Sequence, residues 1–479
     1  MGAIFAEKPS VFFVGGRGTL AGDANAGGCT KDYWGDLRSP NKLLSDVMGA
    51  NGEPVSDAAA WDGSQTGCTM SDRGDGKARI TRATCFGSCE VGHVANVMFA
   101  APFAAYSSHY EVIAVDADYV DLDCTEPVSG TCDIKVGGAY DLIQTASDNT
   151  TAVLGLTGED VNILSNKPRT YTGAGDQIDI DTGGGNSGEG TYKRIIAVDS
   201  DGVELTKGTR LVIDVNNQAC YGIRVAGLID NIEIKRIKII NVPDPKAGIS
   251  YAPGGWSFGY ILNDCETEDC YIGIEVYGYT CGLLVIAGKY EAEYRGVWAK
   301  VSGIKGLMIL DTQIKVMGSN YCIYSLVTGG TYVDGCVLQS SGNGAGIGYG
   351  GLGLRGGMFV SNTIFYNLTM GISPIHNDAV ITEHSNIYLL TSAATSKFLQ
   401  RTAGTVAYSD YSCGWCLDGA PAAADRWGGK GLGEHSIEQD PLFVDAANGD
   451  FRLQSSLMFG SSSDSPCLNA GMPTLDEVT

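Results

Sequence analysis

The chain has 479 residues and a formal net charge of −23, with 55 acidic against 32 basic side chains. Phosphate contacts need a surplus of cations, so nucleic acid is excluded as an expected partner, and the acidic excess points instead to solubility or to divalent cations such as Ca²⁺. No stretch reaches the roughly 18–20 apolar residues of a membrane span, so no membrane insertion is expected, and 67 glycines set among strand-forming residues point to an all-β chain.

Residues 1 to about 75 are loop-rich and read as an attachment segment, with Val11-Phe-Phe-Val14 as the one clear strand. The start lacks a basic region followed by an apolar one, so no signal peptide is expected and folding in a cytoplasm is. Residues 76–205 contain an internal echo: Tyr110-Glu-Val-Ile-Ala-Val-Asp-Ala-Asp-Tyr-Val-Asp-Leu122 matches Tyr192-Lys-Arg-Ile-Ile-Ala-Val-Asp-Ser-Asp-Gly-Val-Glu-Leu205 with one gap. Alternation on both sides of Asp-x-Asp predicts a β-hairpin in each, hence two related small β modules. Between them, residues 138–148 are the best short helix, placed to shield the open apolar end of a stacked β structure.

From residue 206 to about 400 the text is periodic. A small residue meets an apolar one at Gly222-Ile223, Gly248-Ile249, Gly273-Ile274, Gly296-Val297, Cys322-Ile323, Gly346-Ile347 and Gly371-Ile372, in steps of 23 to 26 residues. A period of this length signals a solenoid whose repeats bury their apolar faces against one another. Each repeat holds short β runs and no apolar stripe at helical spacing, which predicts a parallel β-helix with about three strands per coil. Ile223, Ile249, Ile274, Val297, Ile323, Ile347 and Ile372 are then one interior ladder, and Cys322 and Cys336 small core residues of a single coil.

After Leu390 the period lapses, and residues 401–479 read as a C-terminal cap. Here stand Asp440-Pro-Leu-Phe-Val-Asp445, Gly449-Asp-Phe-Arg-Leu-Gln454 and Ser465-Pro-Cys-Leu-Asn-Ala-Gly471. This run, with the coils, resembles the terminal segment of right-handed parallel β-helix proteins of the pectate-lyase-like superfamily. The resemblance covers roughly residues 206–471. It implies a fold, and a choice among polysaccharide lyases and hydrolases, bacterial surface proteins, and bacteriophage tailspikes and other virion proteins. The hairpin echo resembles modules of phage structural proteins. Right-handedness follows from the resemblance and from the crossover preference of parallel strands.

Several constellations carry possible chemistry. Glu291 and Glu293, two apart on a predicted strand, share one face as a glycosidase carboxylate pair would, and Asp264, Glu266, Glu268 and Asp269 form a second acidic patch. The aromatic loop around Tyr251, Trp256 and Tyr260 is a candidate for stacking on sugars. Asp116, Asp118 and Asp121 offer oxygens for Ca²⁺, although a hairpin turn explains them without metal. His376 with Asp378, and Glu383 with His384, form no H-E-x-x-H pattern and read as surface. The glycine run Gly346–Gly357 matches G-x-G-x-x-G but is followed by strand text, so a dinucleotide site is rejected. Cys413 and Cys416 have metal or redox spacing with only His435 and Cys467 to complete it. With Cys85/Cys89, Cys124/Cys132 and Cys265/Cys270 they are candidate disulfides, and 15 cysteines leave at least one thiol over.

The leading expectation is a structural virion surface protein of a bacteriophage: a head decoration, fibre or tailspike component. It would assemble with other virion proteins and with copies of itself, as trimers in the resembling proteins, and bind a host surface glycan without a cofactor. The alternatives are a polysaccharide lyase or glycoside hydrolase using Glu291 and Glu293, and a cell-surface adhesin.

Overall fold

The structure, a computed structural model, describes residues 43–45, 65–75, 77–86, 91, 94–100, 108–124, 128–137, 160–164, 169–181, 193–198, 204–227, 229–253, 257–278, 280–300, 306–326, 329–341, 343–350, 357–374, 380–392, 395–400, 405–419, 427, 433–468 and 470–471. The fold is a β-solenoid with three ladders of parallel strands. On the first face, Ile232–Lys235, Ser257–Asn263, Thr280–Ile286, Leu307–Leu310, Thr331–Asp334, Gly357–Ser361, Val380–His384 and Thr405–Asp410 pair in succession. The second and third faces form one sheet, because Ile237–Pro253, Glu266–Val276 and Lys289–Ala299 turn the corner between them as single long strands. In later coils that corner splits them into separate strands such as Gln313–Val316 and Tyr321–Ser325.

The interior ladder occupies the third face. Ile223 pairs with Ile249, then Ile274, Val297, Ile323, Ile347, Ile372 and finally Leu399, each buried. The small residue before each rung from Ile223 to Ile372 is a packing requirement. A Cβ added at Gly273 would lie 2.6 Å from the carbonyl oxygen of Gly296, and one at Gly346 would lie 2.5 Å from the Phe365 ring and 2.6 Å from the Gly371 oxygen. Cys322 fits the same corner by turning its thiol to donate to the Gln339 carbonyl.

The corner between first and second faces is made by one left-handed residue per coil: Arg236, Asp264, Ala287, Asp311, Gly335, Asn362, Ser385 and Tyr411. The next residue turns inward, giving a buried column that includes Cys265, Thr312, Cys336, Thr363, Asn386 and Ser412. Its lower members bond from coil to coil. The Thr363 N–H donates to Asn386 Oδ1 at 2.9 Å, and the Asn386 N–H to Ser412 Oγ at 3.2 Å. Polar residues survive in this core because each finds a partner there.

Two boundaries differ from the sequence reading. Parallel pairing begins before residue 206, with Leu43–Ser45, Asp160–Leu164 and Lys193–Val198 as successive rungs of the first face. It also runs past residue 400, since Cys413–Cys416 pairs with Ile387–Leu390. Between the first two rungs is inserted a closed antiparallel barrel of six strands, Gln65–Asp72 to Gly130–Gly137. The first predicted hairpin lies in that barrel, where Ser108–Val115 pairs with Tyr119–Leu122. The second does not found a sister module: its strand Lys193–Val198 is a solenoid rung. Neighbouring strands decide which sheet each copy of the echo joins. The helix expected at 138–148 lies outside the described residues.

The bottom of the solenoid is closed by aromatic rings. Phe365 stacks on Tyr388 at 4.5 Å, and the buried Trp427 meets Phe398 at 4.8 Å. Phe443–Asp445 and Asp450–Leu453 form an antiparallel pair from the terminal motif, and Phe451 meets Tyr366 at 5.2 Å.

Because each inward side chain is held by its equivalents one coil away, Ile323→Ala is expected to lower unfolding free energy by about 2–5 kcal/mol in denaturant titration. Ile323 and Ile347 are expected to couple in a double-mutant cycle, while Ile223 and Ile372 add. Unchanged stability of Ile323→Asp would contradict the register.

Candidate functional site

Inward parity on the third face fixes what points outward. The residues after Ile274, Val297 and Ile323 are Glu275, Trp298 and Tyr324, in register with one another on the outer surface. Tyr321 joins them, its ring 5.3 Å from that of Tyr324. Its place depends on Gly348 one coil below, where a Cβ would come within 2.8 Å of the Tyr321 ring.

A β-bulge completes the row. Ala292 pairs with Cys270 but Arg295 with Ile272, so Lys289–Ala299 carries one extra residue at the corner between second and third faces. Bulges re-aim side chains. Here Tyr294 stacks on Tyr271 at 5.1 Å with the planes 4° apart, and meets Trp298 edge-on at 5.8 Å. The Arg295 guanidinium carbon then lies 4.6, 4.1 and 4.0 Å from the ring centroids of Tyr294, Trp298 and Tyr324. Its Nε and Nη1 are buried and have no hydrogen-bond partner. Burial pushes its proton affinity below the ordinary arginine value, but a guanidinium stays cationic in proteins. Lys300 approaches the Trp298 ring to 3.8 Å, but its charge is engaged by the buried Glu275. The row therefore offers flat apolar rings, suited to the C–H faces of sugars, around one cation with free donors.

The predicted carboxylate pair has a different setting. Glu291 and Glu293 do share an outer face, but Glu291 accepts from Lys315 Nζ at 3.1 Å and Glu293 is exposed. The neighbouring acidic patch is likewise engaged. Asp264 and Glu266 accept from Arg210 at 2.6 and 2.7 Å, and Lys238 bridges Glu266 and Glu268. Lys238 holds the Glu268 carboxyl below its ordinary range. A general acid needs a carboxyl kept neutral at the reacting bond. The carboxyls that burial pushes up, Glu233 and Glu383, are both enclosed.

Tyr251 and Tyr260 are a correction. Both are 0% exposed, their rings 4.8 Å apart inside the solenoid. Tyr251 is two residues beyond Ile249, hence on the same inward side, and Tyr260 is in register with Ile232 and Leu283. Neither can stack on a sugar from solvent. Trp256 lies outside the described residues. The outward aromatics Tyr271, Tyr294, Trp298, Tyr321 and Tyr324 were missed, although parity with the isoleucine ladder marks Trp298 and Tyr324.

The calcium candidates are also corrected. Asp121 is buried in the barrel wall and its oxygens accept from Arg79 Nε at 2.7 Å, Arg79 Nη2 at 2.9 Å and Arg73 Nη1 at 2.8 Å. Asp116 and Asp118 are exposed turn residues, and Asp118 accepts from the Thr84 N–H. Among the described residues no group of three or more metal-ligating side chains occurs. Cys265, Cys270, Cys322, Cys336 and Cys413 form no disulfide, and Cys413 is hydrogen-bonded to Cys467. The glycine run joins strand Ala345–Tyr349 to strand Gly357–Ser361, with no helix in the described part. His376 and Asp378 lie outside the described residues.

Glu383, read as surface, is instead a fully buried member of the first face. It accepts from Asn386 Nδ2 at 2.8 Å, Ser412 Oγ at 2.8 Å, Tyr388 OH at 3.2 Å and the Ser409 hydroxyl.

No family model matches the chain. No curated protein matches it. Among solved structures it is similar to the catalytic domain of a GH87 alpha-1,3-glucanase in complex with nigerose, at 8% identity and a TM-score of 0.21 over 79% of this chain and 90% of that one. A variant of a GH87 alpha-1,3-glucanase catalytic domain in complex with tetrasaccharides is similar at 9% identity and a TM-score of 0.18, over 71% of this chain and 81% of that one. Likenesses this distant bear on neither activity nor substrate.

The Glu383 pocket gives a pH signature with a definite sign. Its folded pKa is raised by burial, so its contribution to stability is complete below the unfolded value of about 4.3 and is lost as pH rises through the folded value. Glu383→Gln, which stays uncharged at every pH, is expected to gain in melting temperature relative to the parent as pH rises from about 4 to 8. A parent that gains on the variant over that range would mean an ionised Glu383.

Proposed function

We propose that this protein is a rigid β-solenoid that binds glycan along the aromatic row of its third face, without hydrolysing or eliminating it. The observation that carries this reading is the outward set Tyr271, Tyr294, Trp298, Tyr321 and Tyr324 around Arg295. Partly exposed aromatic rings gathered on adjacent coils suit stacking on sugar rings, and rings fixed by neighbouring coils bind with little ordering penalty. Two carboxylates beside the row are tied to lysines, Glu275 to Lys300 and Glu291 to Lys315, and Glu293 next to Tyr294 is exposed, so among the described residues the row holds no enclosed, unpaired carboxyl of the kind a general acid needs.

The setting we propose is a virion surface, where the rod associates with copies of itself and with other virion proteins. Its support is the hairpin echo of the sequence, and mass spectrometry of purified particles tests it directly. The chain's absence from virions would remove that setting while leaving the binding face.

Binding is tested by a glycan array followed by calorimetry on the full chain. Trp298→Ala is expected to weaken the bound glycan at least tenfold, in keeping with a loss of about 1–2 kcal/mol for one stacking ring, with the melting temperature unchanged. Product release from the same glycan, abolished by Glu291→Gln, would replace this reading with the hydrolase or lyase.

A further inference from the structure

The row contains one group that neutral sugar stacking does not use. Arg295 is held over three aromatic rings, yet Nε and Nη1 find no acceptor. Those two atoms lie on different edges of the guanidinium fork and are buried, so neither edge is fully paired in the free protein. Burying such donors unpaired is unfavourable in the free protein, and cation–π contact offsets part of that without supplying an acceptor. The surroundings sharpen the point. Lys300, Lys315, Lys238 and Arg210 on this and neighbouring coils are each matched to a carboxylate, whereas Arg295 touches rings. In a chain of net charge −23, a cation left for a ligand is a local exception to the overall field.

We infer that the aromatic row selects an anionic sugar unit, whose carboxylate or sulfate oxygens meet the Arg295 guanidinium while its ring lies against Trp298 or Tyr324. The inference rests on the glycan-binding reading and deepens it. Overall charge works against an anionic ligand, so a preference for one must be local. It is expected to survive or grow as salt screens the general repulsion.

The test is calorimetric titration of the full chain with three probes of equal length: an oligouronate, its carboxyl-reduced neutral counterpart, and a sulfated ester of the neutral oligomer. The parent protein is expected to bind at least one anionic probe about tenfold or more tightly than the neutral one, as a charge-assisted bidentate contact implies. Which anionic probe wins distinguishes carboxylate from sulfate. Arg295→Gln is expected to bring the anionic probe down to the level of the neutral one. Arg295→Lys, which keeps the charge but loses the planar fork, is expected to fall between. Trp298→Ala is expected to weaken all probes alike. Melting curves of each variant identify loss of fold, and if Arg295→Gln does not fold, the probe comparison on the parent and Arg295→Lys decides. Equal binding of neutral and anionic probes by the parent overturns the anionic selection and leaves glycan binding standing. So does an anionic preference untouched in a folded Arg295→Gln. Binding of no probe and of no arrayed glycan overturns both.

Discussion

Coil-to-coil register is the constraint on which the rest of this structure depends. Each strand is held by parallel hydrogen bonding to the strand one coil away, so a side chain that points inward in one coil must point inward in the next. The Ile223-to-Leu399 column is the visible result. The small residue before each apolar one follows from the same closeness: chain passes chain at the corner, and a Cβ at Gly273 would reach the carbonyl oxygen of Gly296. Period, glycine and isoleucine are three expressions of one stacking distance.

The same parity that fills the core composes the surface. Outer residues repeat at the coil spacing, so like chemistry gathers into rows. On the second face the row is ionic, with Glu266 in register with Lys289 and Glu291 with Lys315. On the third it is aromatic, with Trp298 in register with Tyr324. Partly exposed pairs of the first kind contribute little each, but they occupy Glu291, one of the two carboxylates of the predicted cleavage pair. The bulge between Ala292 and Arg295 is what departs from strict repetition, and the departure brings the guanidinium onto the rings.

What was legible in the sequence was what repeats. The seven small–apolar pairs located the interior ladder because strong burial selects the same residue type in every coil. Parity could have gone further: Tyr251 stands two residues from Ile249 and so had to point inward, while Trp298 and Tyr324 each follow a ladder residue and had to point out. The barrel was not legible as a closed sheet. Its closure joins Gln65–Asp72 to Gly130–Gly137 across some sixty residues, and such long-range pairing leaves no local period. Asp121 misled for a related reason. An acidic run in a turn resembles a cation site until Arg73 and Arg79 are brought to it by pairing across the barrel wall.

A solenoid also explains how a binding face and a polar core can coexist without compromise. Energetic coupling runs between adjacent coils and fades beyond them, so the coils of Ile274, Val297 and Ile323 can carry bulge, rings and a partly buried guanidinium without disturbing distant coils. The coils of Glu383, Ser409 and Ser412 lie farther along and place a carboxyl within the core, satisfied by Asn386, Tyr388 and serine hydroxyls. Neither departure shares a partner with the other. Each is tolerated because the isoleucine column passes through both regions unbroken, from Ile274 to Leu399. The rod's rigidity thus comes from a core that repeats, and whatever specificity its surface has must come from the few residues that do not.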